Sequence, residues 1–285
     1  MIKKTDAERS TVDVVIVTYQ SAELIEACLD SVPQTVLGSK VNKIVVDSAS
    51  EDGTRQLVAS RDDCELIALS ENRGFAQGVN RGLAVSHARF VLLLNPDAEL
   101  GVGALQAMVR RLEADPGLAA VAPIQINERG EPQTVAQAQP TVRGELARTF
   151  EVAARPFGWT RPDELEESDE PGWLSGACLL LSREALLKVG PLDGGYFLYF
   201  EETDWCRRAI QKGYRLAVEK TALVLHVGGA SSIGAQQKQL SRQRFERSRR
   251  RFFIRHHGRR RAFCVEVLHL LRRFYERRVN GRMST

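Results

Sequence analysis

Along the first 125 residues, short apolar runs alternate with segments in which apolar residues recur at helical spacing. The apolar runs predict five strands, at residues 14–17, 43–46, 65–69, 90–94 and 118–122. The segments between them predict helices at residues 22–31, 53–60, 75–86 and 102–114. Near-continuously apolar strands are typical of a parallel sheet covered on both faces. The pattern therefore predicts a doubly wound α/β sheet, in which ligands bind at the carboxyl ends of the strands.

After residue 126 the pattern changes twice. Residues 127–172 contain five prolines and an acidic run at 163–170, and a stretch of this kind predicts a functional lid or a disordered segment. Ordered structure returns at residues 173–181, followed by a helix at 201–211 and candidate strands at 215–218 and 222–225. We therefore expect an α/β domain over residues 1–236, with halves at 12–125 and 126–236, and a helical tail over residues 237–285.

The chain divides its charge between an acidic body and a basic tail. Its 285 residues are 43% hydrophobic and 27% charged, a balance typical of globular proteins that excludes bulk disorder. The net charge is +4, but residues 238–285 hold 16 Lys and Arg against 3 Asp and Glu, a balance of +13, and the remainder carries −9. The tail therefore needs a functional explanation of its own.

Within the tail, residues 262–279 predict an amphipathic helix. Its apolar face consists of Phe263, Val267, Leu270, Leu271 and Phe274, with mostly charged residues opposite. Basic amphipathic helices with aromatic residues are typical of binding to anionic membrane surfaces. The alternative is a helix that packs its apolar face on its own domain or on a second subunit, as in a homodimer. Nucleic-acid binding is not favoured, because no recognised DNA or RNA module accompanies the tail.

The sequence also predicts the compartment. Its first 13 residues lack the apolar core of a secretory signal, and its apolar runs are far shorter than the ~20 residues of a spanning helix. The five cysteines form no CxxC pair, which favours free thiols in a reducing cytosol. We therefore expect a cytoplasmic protein, with peripheral attachment to the inner face of the cytoplasmic membrane as an option.

Polar residues follow the predicted strands where ligands are expected. The first strand ends in Thr18 and Tyr19, and the second ends in Asp47. An acidic residue at this second position can accept hydrogen bonds from a ribose or a base, although it can also simply cap a turn. The first turn has neither the GxGxxG nor the GxxxxGK[ST] pattern, so a dinucleotide fold and a P-loop have no support.

The fourth strand runs directly into Asn95, Pro96 and Asp97. Oxygen ligands delivered to the edge of a sheet suit a hard divalent cation, Mg²⁺ or Mn²⁺, that bridges substrate phosphates. Proline fixes the local turn and so holds the two flanking polar residues in place. The same tripeptide is also a common turn, and the motif therefore gains its meaning from its context.

That context is an ordered set of motifs across the chain. They are the strand ends at 18–19 and 47, the segments 71–82, 95–97 and 173–178, and the segments 200–206 and 226–231. In this order the sequence resembles the family-2 inverting glycosyltransferases, particularly the rhamnosyltransferase-like branch, over residues 12–232. The resemblance implies the GT-A fold, a Rossmann-like, doubly wound mixed sheet, here with a C-terminal basic amphipathic helical extension.

The resemblance also implies roles for named residues. A nucleotide-sugar donor would be held by the half at 12–125, and the surrounding residues would be Thr18, Tyr19, Asp47, Asn72, Gly74, Phe75 and Asn95. Asp97 stands at the last position of the family's metal-binding Asp-x-Asp triplet. His226 matches a histidine that completes the metal site in relatives, and its imidazole favours Mn²⁺ over Mg²⁺. Its alternative is a strand-end histidine with a satisfied hydrogen bond.

Inverting transfer is a single in-line displacement that needs a base for the acceptor hydroxyl and a cation for the developing diphosphate charge. Glu201, Glu202 and Asp204 are the candidate catalytic carboxylates, and the resemblance assigns the base to Glu202, with Glu201 second. Acidic residues also stabilise a helix N-terminus through the helix dipole, and the same carboxylates can have this structural role and a catalytic role at once. Within the acceptor half at 126–236, the acceptor side would include Trp173, Ser175 and Gly176.

The resemblance thus implies a metal-dependent inverting enzyme that moves a sugar, with rhamnose as one candidate, in cell-surface polysaccharide synthesis. The acceptor would be a glycan or a lipid-linked glycan. One alternative is a nucleotidyltransferase, which would carry a glycine-rich basic loop after the first strand. Another is a non-catalytic, membrane-associated scaffold with a degenerate transferase domain.

Overall fold

The computed structural model describes residues 11–154, 171–228 and 235–282, in which a large mixed sheet is covered by helices. The strands are β1 Val12–Thr18, β2 Thr35–Val36, β3 Ser39–Asp47, β4 Glu65–Ala68, β5 Phe90–Leu94, β6 Ala98–Leu100, β7 Leu118–Ile126, β8 Pro132–Gln133, β9 Ala136–Gln137, β10 Trp173–Leu174, β11 Cys178–Ser182 and β12 Arg215–His226. The helices are α1 Ile25–Ser31, α2 Thr54–Ala59, α3 Phe75–Val85, α4 Ala104–Ala114, α5 Val142–Ala154, α6 Arg183–Val189, α7 Glu201–Gln211, α8 Ala235–His257 and α9 Arg259–Arg282.

The predicted parallel half of the sheet is confirmed. β4, β3, β1 and β5 are neighbours in that order, and all of them run parallel. Every side chain of β1 is buried, and successive residues point to opposite faces. Val14 and Ile16 join the apolar cluster on one face, whereas Val15 and Val17 join the cluster on the other. A strand buried on both sides explains the near-continuous apolar run in its sequence.

The second half makes the sheet mixed. β11 lies antiparallel between β5 and β7, and β12 pairs in parallel with β7 and in antiparallel with β6. The two short strands predicted at 215–218 and 222–225 are one strand, β12, with an irregularity between Glu219 and Leu223. The register places Thr18 beside Asp47, so the polar ends of β1 and β3 meet at one edge of the sheet.

The segment after residue 127 is more ordered than its sequence suggests. It contains β8, β9 and the thirteen-residue helix α5, where the sequence analysis expected a lid or disorder. The helix escaped prediction because it has few large apolar residues; Val142, at its start, packs on a cluster that includes Tyr196 and Phe252. The acidic run at 163–170 lies outside the described residues.

The helical prediction for the tail is confirmed, and the predicted apolar face of α9 is largely exposed. Ala262 and Val265 face the body and are buried, whereas Phe263, Leu270 and Leu271 are 69%, 62% and 56% exposed. The interpretation in which α9 packs its apolar face on its own domain is therefore wrong. The side chain of Phe274 lies outside the part described.

α8 is held against the body by charged contacts. Arg251 and Arg255 both pair with Asp193, at 2.9 and 2.7 Å, and the hydroxyl of Ser248 donates to the carbonyl of Leu198. The cysteines at 28, 64, 178, 206 and 264 are free, as their spacing predicts. Among the described residues, no helix has both the length and the apolar character that crossing a bilayer requires.

Candidate active site

The carboxyl ends of β1 and β3 form a buried polar floor. Oδ2 of Asp47 accepts hydrogen bonds from Nε and Nη2 of Arg55, at 3.1 and 3.0 Å. Oδ1 of Asp47 and Oγ1 of Thr18 are buried without a hydrogen-bond partner among the described residues. Buried polar atoms are nearly always bonded, so two open acceptors side by side indicate a place for a ligand with donor groups. Tyr19, which follows Thr18, is 44% exposed at this edge.

Four of the five non-glycine residues with a positive φ in the described part of the chain lie close in sequence to candidate site residues. Gln20 and Ala49, just after β1 and β3, have φ angles of 53° and 62°. Tyr199 and Phe200, immediately before α7, have φ angles of 71° and 69°. Residues other than glycine in this left-handed region cost about 1–3 kcal/mol each and tend to cluster at functional sites.

The segment at 72–75 is packed tightly against the loop that precedes α7. Oδ1 of Asn72 accepts a hydrogen bond from the backbone N–H of Gly74, and the N–H of Phe75 donates to the carbonyl of Phe197 over 2.7 Å. Gly74 has a φ of +91°, and a Cβ there would lie 2.2 Å from the carbonyl oxygen of Phe197. Glycine is therefore required, and the contact joins the predicted nucleotide half to the predicted catalytic loop.

Asp97 and His226 lie close together, as a shared metal site requires. The imidazole Nε2 of His226 is 3.5 Å from Oδ1 of Asp97, and both side chains are mostly buried. Nδ1 of His226 donates to Oε1 of Gln133 over 2.8 Å, which leaves Nε2 as an acceptor facing the carboxylate. Such a partner for the other ring nitrogen is usual behind a metal-bound histidine, so these residues fit a divalent cation. Sequence reasoning missed Gln133.

In such a site, Asp97 and His226 would be the protein ligands among the described residues. No group of three or more His, Cys, Asp or Glu residues suited to a metal occurs in the described part of the chain. A cation held by one carboxylate and one imidazole takes its remaining ligands from water or substrate oxygens. Phosphate oxygens of a bound substrate are suitable ligands of this kind.

The loop between β10 and β11 joins the metal candidate to the carboxylates. The N–H of Asn95 donates to the carbonyl of Ala177 over 2.8 Å. A Cβ on Gly176 would lie 3.5 Å from Cβ of Glu202, so this glycine is in direct contact with the carboxylate residue. Ser175 is held by backbone bonding to Val135, and its hydroxyl lies 3.4 Å from Oε1 of Gln125.

Burial raises the pKa values of Glu201 and Glu202, so both carboxyl groups stay protonated at a higher pH than usual. Glu201 is 3% exposed, its Oε2 has no partner among the described residues, and burial together with Glu202 raises its pKa well above the ordinary value. Burial raises the pKa of Glu202 to about 7, against the lowering effect of hydrogen bonds that include one from Thr203. Glu202 lines a cavity of about 340 Å³ together with Trp173. It can therefore exchange a proton with a molecule there near neutral pH.

Asp204 has a different environment from its two neighbours. It is fully buried, and its carboxylate accepts hydrogen bonds from Nε2 of His256 at 2.7 Å and Nε of Arg208 at 2.8 Å, with Arg255 at 3.2 Å. Burial acts to raise the pKa of Asp204, but the hydrogen bonds from His256 and Arg208 outweigh it and lower that pKa. Asp204 thus ties α7 to α8 as an ionised anchor, and the 52-residue separation from His256 hides this contact from sequence patterns.

The chain belongs to glycosyl transferase family 2, whose sequence model matches residues 13–190. It is 30% identical over 230 residues to the N-acetylglucosaminyl-diphospho-decaprenol L-rhamnosyltransferase of Mycobacterium tuberculosis, covering 75% of both chains. It is 25% identical over 217 residues to the low-salt glycan biosynthesis hexosyltransferase Agl10 of Haloferax volcanii, covering 75% of this chain and 66% of that one.

Solved structures share the fold. The mannosyltransferase PcManGT from Pyrobaculum calidifontis, in complex with GDP-Man and Mn²⁺, matches with a TM-score of 0.60 and 21% identity, covering 94% of this chain and 72% of that one. The predicted family, its rhamnosyltransferase-like character and the GT-A fold are therefore confirmed, and the protein is a glycosyltransferase.

The raised pKa of Glu202 predicts a pH-dependent effect on stability. The pKa of Glu202 is about 7 in the folded protein and 4.5 ordinarily, so between these pH values the folded protein retains a proton that the unfolded chain releases. The free energy of unfolding therefore falls as the pH rises from about 4.5 to about 7. Glu202→Gln should therefore raise the free energy of unfolding by on the order of 1–3 kcal/mol at pH 8 and by almost nothing at pH 4. Urea denaturation measures both values, with the exposed Glu23→Gln as control. An equal effect at the two pH values would contradict the assignment.

Proposed function

We propose that the protein transfers a sugar from a nucleotide-sugar donor to an acceptor hydroxyl by a single inverting displacement, with Glu202 as the base. The observation that carries this proposal is the position of Glu202. It faces a cavity, it contacts Gly176, and burial raises its pKa to about 7. A carboxyl group with such a pKa can take the hydroxyl proton as the oxygen attacks the anomeric carbon. Inversion follows because attack and departure occur on opposite faces of that carbon.

The donor nucleotide would occupy the floor at the ends of β1 and β3. Oδ1 of Asp47 and Oγ1 of Thr18 offer the two open acceptors there, suited to hydroxyl or N–H groups of a nucleoside. Tyr19 and the segment at Asn72, Gly74 and Phe75 would border it. Since Phe75 is bonded to the loop before α7, donor and base would be held in one framework.

Asp97 and His226 would hold a divalent cation, Mn²⁺ or Mg²⁺, with Asn95 beside them. When bound, the cation would offset the negative charge that develops on the leaving nucleotide diphosphate. Gln133 would keep the imidazole in the required tautomer and orientation. The solved mannosyltransferase with GDP-Man and Mn²⁺ shares this fold, which supports the proposal by analogy.

Rhamnose is our first candidate for the sugar, and a lipid-linked glycan of cell-surface polysaccharide synthesis is our first candidate for the acceptor. The support is the likeness to the mycobacterial rhamnosyltransferase, whose name gives N-acetylglucosaminyl-diphospho-decaprenol as its acceptor. Trp173 lines the cavity with Glu202 and could stack on an acceptor sugar ring. The family membership gives no support to nucleotidyl transfer. The first test below distinguishes an active enzyme from a degenerate, non-catalytic scaffold.

We further propose that α9 attaches the enzyme to an anionic membrane surface, at the inner face of the cytoplasmic membrane. Phe263, Leu270 and Leu271 form an exposed apolar face with Val267. Exposed arginines at 259–261 precede this face, and the first two lie on the same side of the helix. Two copies of such a surface would repel each other, whereas anionic headgroups would attract it, so lipid is a better partner than a second subunit.

The first test concerns the base. Glu202→Gln should bind the nucleotide sugar within about twofold of the wild type but lose transfer by roughly 10²-fold or more, and wild-type transfer should rise as pH increases through about 7. Calorimetry with a panel of nucleotide sugars, beginning with dTDP-rhamnose, and product NMR would measure binding, turnover and stereochemistry. Near-normal turnover in this variant, together with inactivity of Glu201→Gln, would reassign the base to Glu201. Absence of any nucleotide-sugar binding would favour the scaffold.

The second test concerns the cation. Chelation should abolish transfer, and Mn²⁺ should restore it. His226→Ala and Gln133→Ala should each weaken Mn²⁺ binding in the presence of donor by roughly 10–100-fold, because the first removes a ligand and the second its support. The exposed His87→Ala serves as the matched control. Transfer that survives exhaustive chelation would refute metal dependence.

The third test concerns the membrane. The double variant Leu270→Glu, Leu271→Glu should lose sedimentation with phosphatidylglycerol vesicles, and high salt should weaken wild-type binding because arginine attraction is screened. Leu187→Glu, at a site 77% exposed on α6, is the control. Failure of the wild type to bind these vesicles, or a dimer in solution that the double variant dissociates, would contradict the membrane proposal.

A further inference from the structure

The cavity at Glu202 is completed by the C-terminal helices. Glu202 and Trp173 line it from the transferase body, and α8 and α9 contribute Arg249, His269 and Arg272. The volume of about 340 Å³ suits a small polar group such as a sugar with its substituent. The transfer step proposed above makes no use of the nitrogen donors on this wall.

Arg249 is buried in that wall with an incomplete set of hydrogen bonds. Its side chain is 3% exposed, and Nη2 donates to Oε1 of Glu266 over 3.0 Å. Its Nε–H has no partner among the described residues. A buried charged group with an unused donor is costly, because it has lost water without a replacement. An acceptor oxygen entering the cavity would complete the set, and guanidinium groups bind phosphate through pairs of N–H donors.

The environment of His269 shows that this wall carries a positive field. Burial, followed by the charges of Arg249 and Arg272, lowers the pKa of His269 to about 4. The imidazole is therefore neutral at physiological pH, and the arginine charges that contribute to this lowering would attract an anion.

The acidic residues nearby leave room for such an anion. Glu266 is paired with the buried arginine, and Glu246 is paired with Arg273 at 2.7 Å. Glu145 and Glu202 line the cavity itself. Glu145 and Arg272 each have a bonding partner of their own, and burial of Glu202 keeps its carboxyl group largely protonated below about pH 7.

We propose that this cavity is the acceptor site, and that Arg249 and Arg272 bind the phosphate of an acceptor whose sugar is joined to phosphate or diphosphate. The inference rests on the function proposed above and names the class of acceptor for the same site. The acceptor phosphate stays bonded to its sugar throughout. The new glycosidic bond forms at a hydroxyl facing Glu202, that proton passes to the carboxylate, and the nucleotide diphosphate leaves the donor with the electron pair. α8 and α9 thereby determine acceptor specificity.

The test compares a charged probe with a neutral one. The charged probe is the phenyl diphosphate of N-acetylglucosamine, and the neutral probe is the phenyl glycoside of the same sugar. Calorimetry in the Glu202→Gln background measures binding without turnover. Arg272→Gln and Arg249→Lys should each weaken binding of the diphosphate by about tenfold or more, because a bidentate charged contact is lost, and should leave the glycoside within about twofold. Arg273→Gln, one residue away and paired with Glu246, should change neither.

Circular dichroism checks folding, and Arg272→Gln carries the test if Arg249→Lys does not fold. Unchanged diphosphate binding in a folded Arg272→Gln variant, or equal loss of both probes, would overturn the phosphate site. A second probe, the same headgroup on a polyprenyl chain in phosphatidylcholine vesicles, distinguishes the source of the acceptor. Tighter wild-type binding of this probe than of the phenyl diphosphate indicates a lipid-linked acceptor, and equal binding indicates a free glycosyl phosphate. Either outcome supports the site. Diphosphate binding without transfer from any nucleotide sugar would refute the proposed function while leaving the site intact.

Discussion

The buried hydrogen bonds of Asp204 with His256 and Arg208 hold the first turn of α7 against α8. Asp204 lies two residues after Glu202 on α7, and His256 lies near the end of α8. Without these partners, a fully buried carboxylate would be strongly unfavourable, so the contact requires α8 to lie where it does. Phe252 reinforces it, because its ring packs 5.4 Å from that of Phe200, the residue immediately before α7. The first turn of α7, which carries the proposed base, is thus supported by the basic helix α8.

The same arrangement gives different pKa values to three carboxyl groups that are close in sequence. Glu201 and Glu202 have few charged partners, and burial raises their pKa values. Asp204 has several cationic partners, and hydrogen bonds from His256 and Arg208 lower its pKa despite burial. One helical turn therefore contains groups suited to exchange protons and a group suited to remain charged. Different roles of this kind are expected where the environments of neighbouring titratable groups give them different pKa values.

Much of the architecture could be predicted because it rests on local patterns. Strands buried on both faces are apolar throughout, and parallel pairing then brings Thr18 and Asp47 to one edge without further information. The approach of His226 to Asp97 was indicated by the resemblance, and the pairing of β12 with β6 explains it. Gln133 could not be predicted, because it acts from a two-residue strand whose sequence carries no signal of its partner. For α9 the sequence left open whether the apolar face is exposed or packs on the domain, because periodicity alone does not show which side of a helix turns inward. In the structure, ion pairs and a polar cavity occupy the inner side.

The anchoring of Asp204 by His256 also has a consequence for biosynthesis. Chains emerge from the ribosome N-terminus first, and the earlier parts of a protein begin to fold before the later parts exist. The sheet, the glycine contact at Gly74 and the first turn of α7 at Glu202 are all encoded before His256 is added. During that interval Asp204 has no imidazole to bond, so the first turn of α7 lacks its support from α8. A nascent chain would therefore form the sheet before it gains the contact that anchors the first turn of α7.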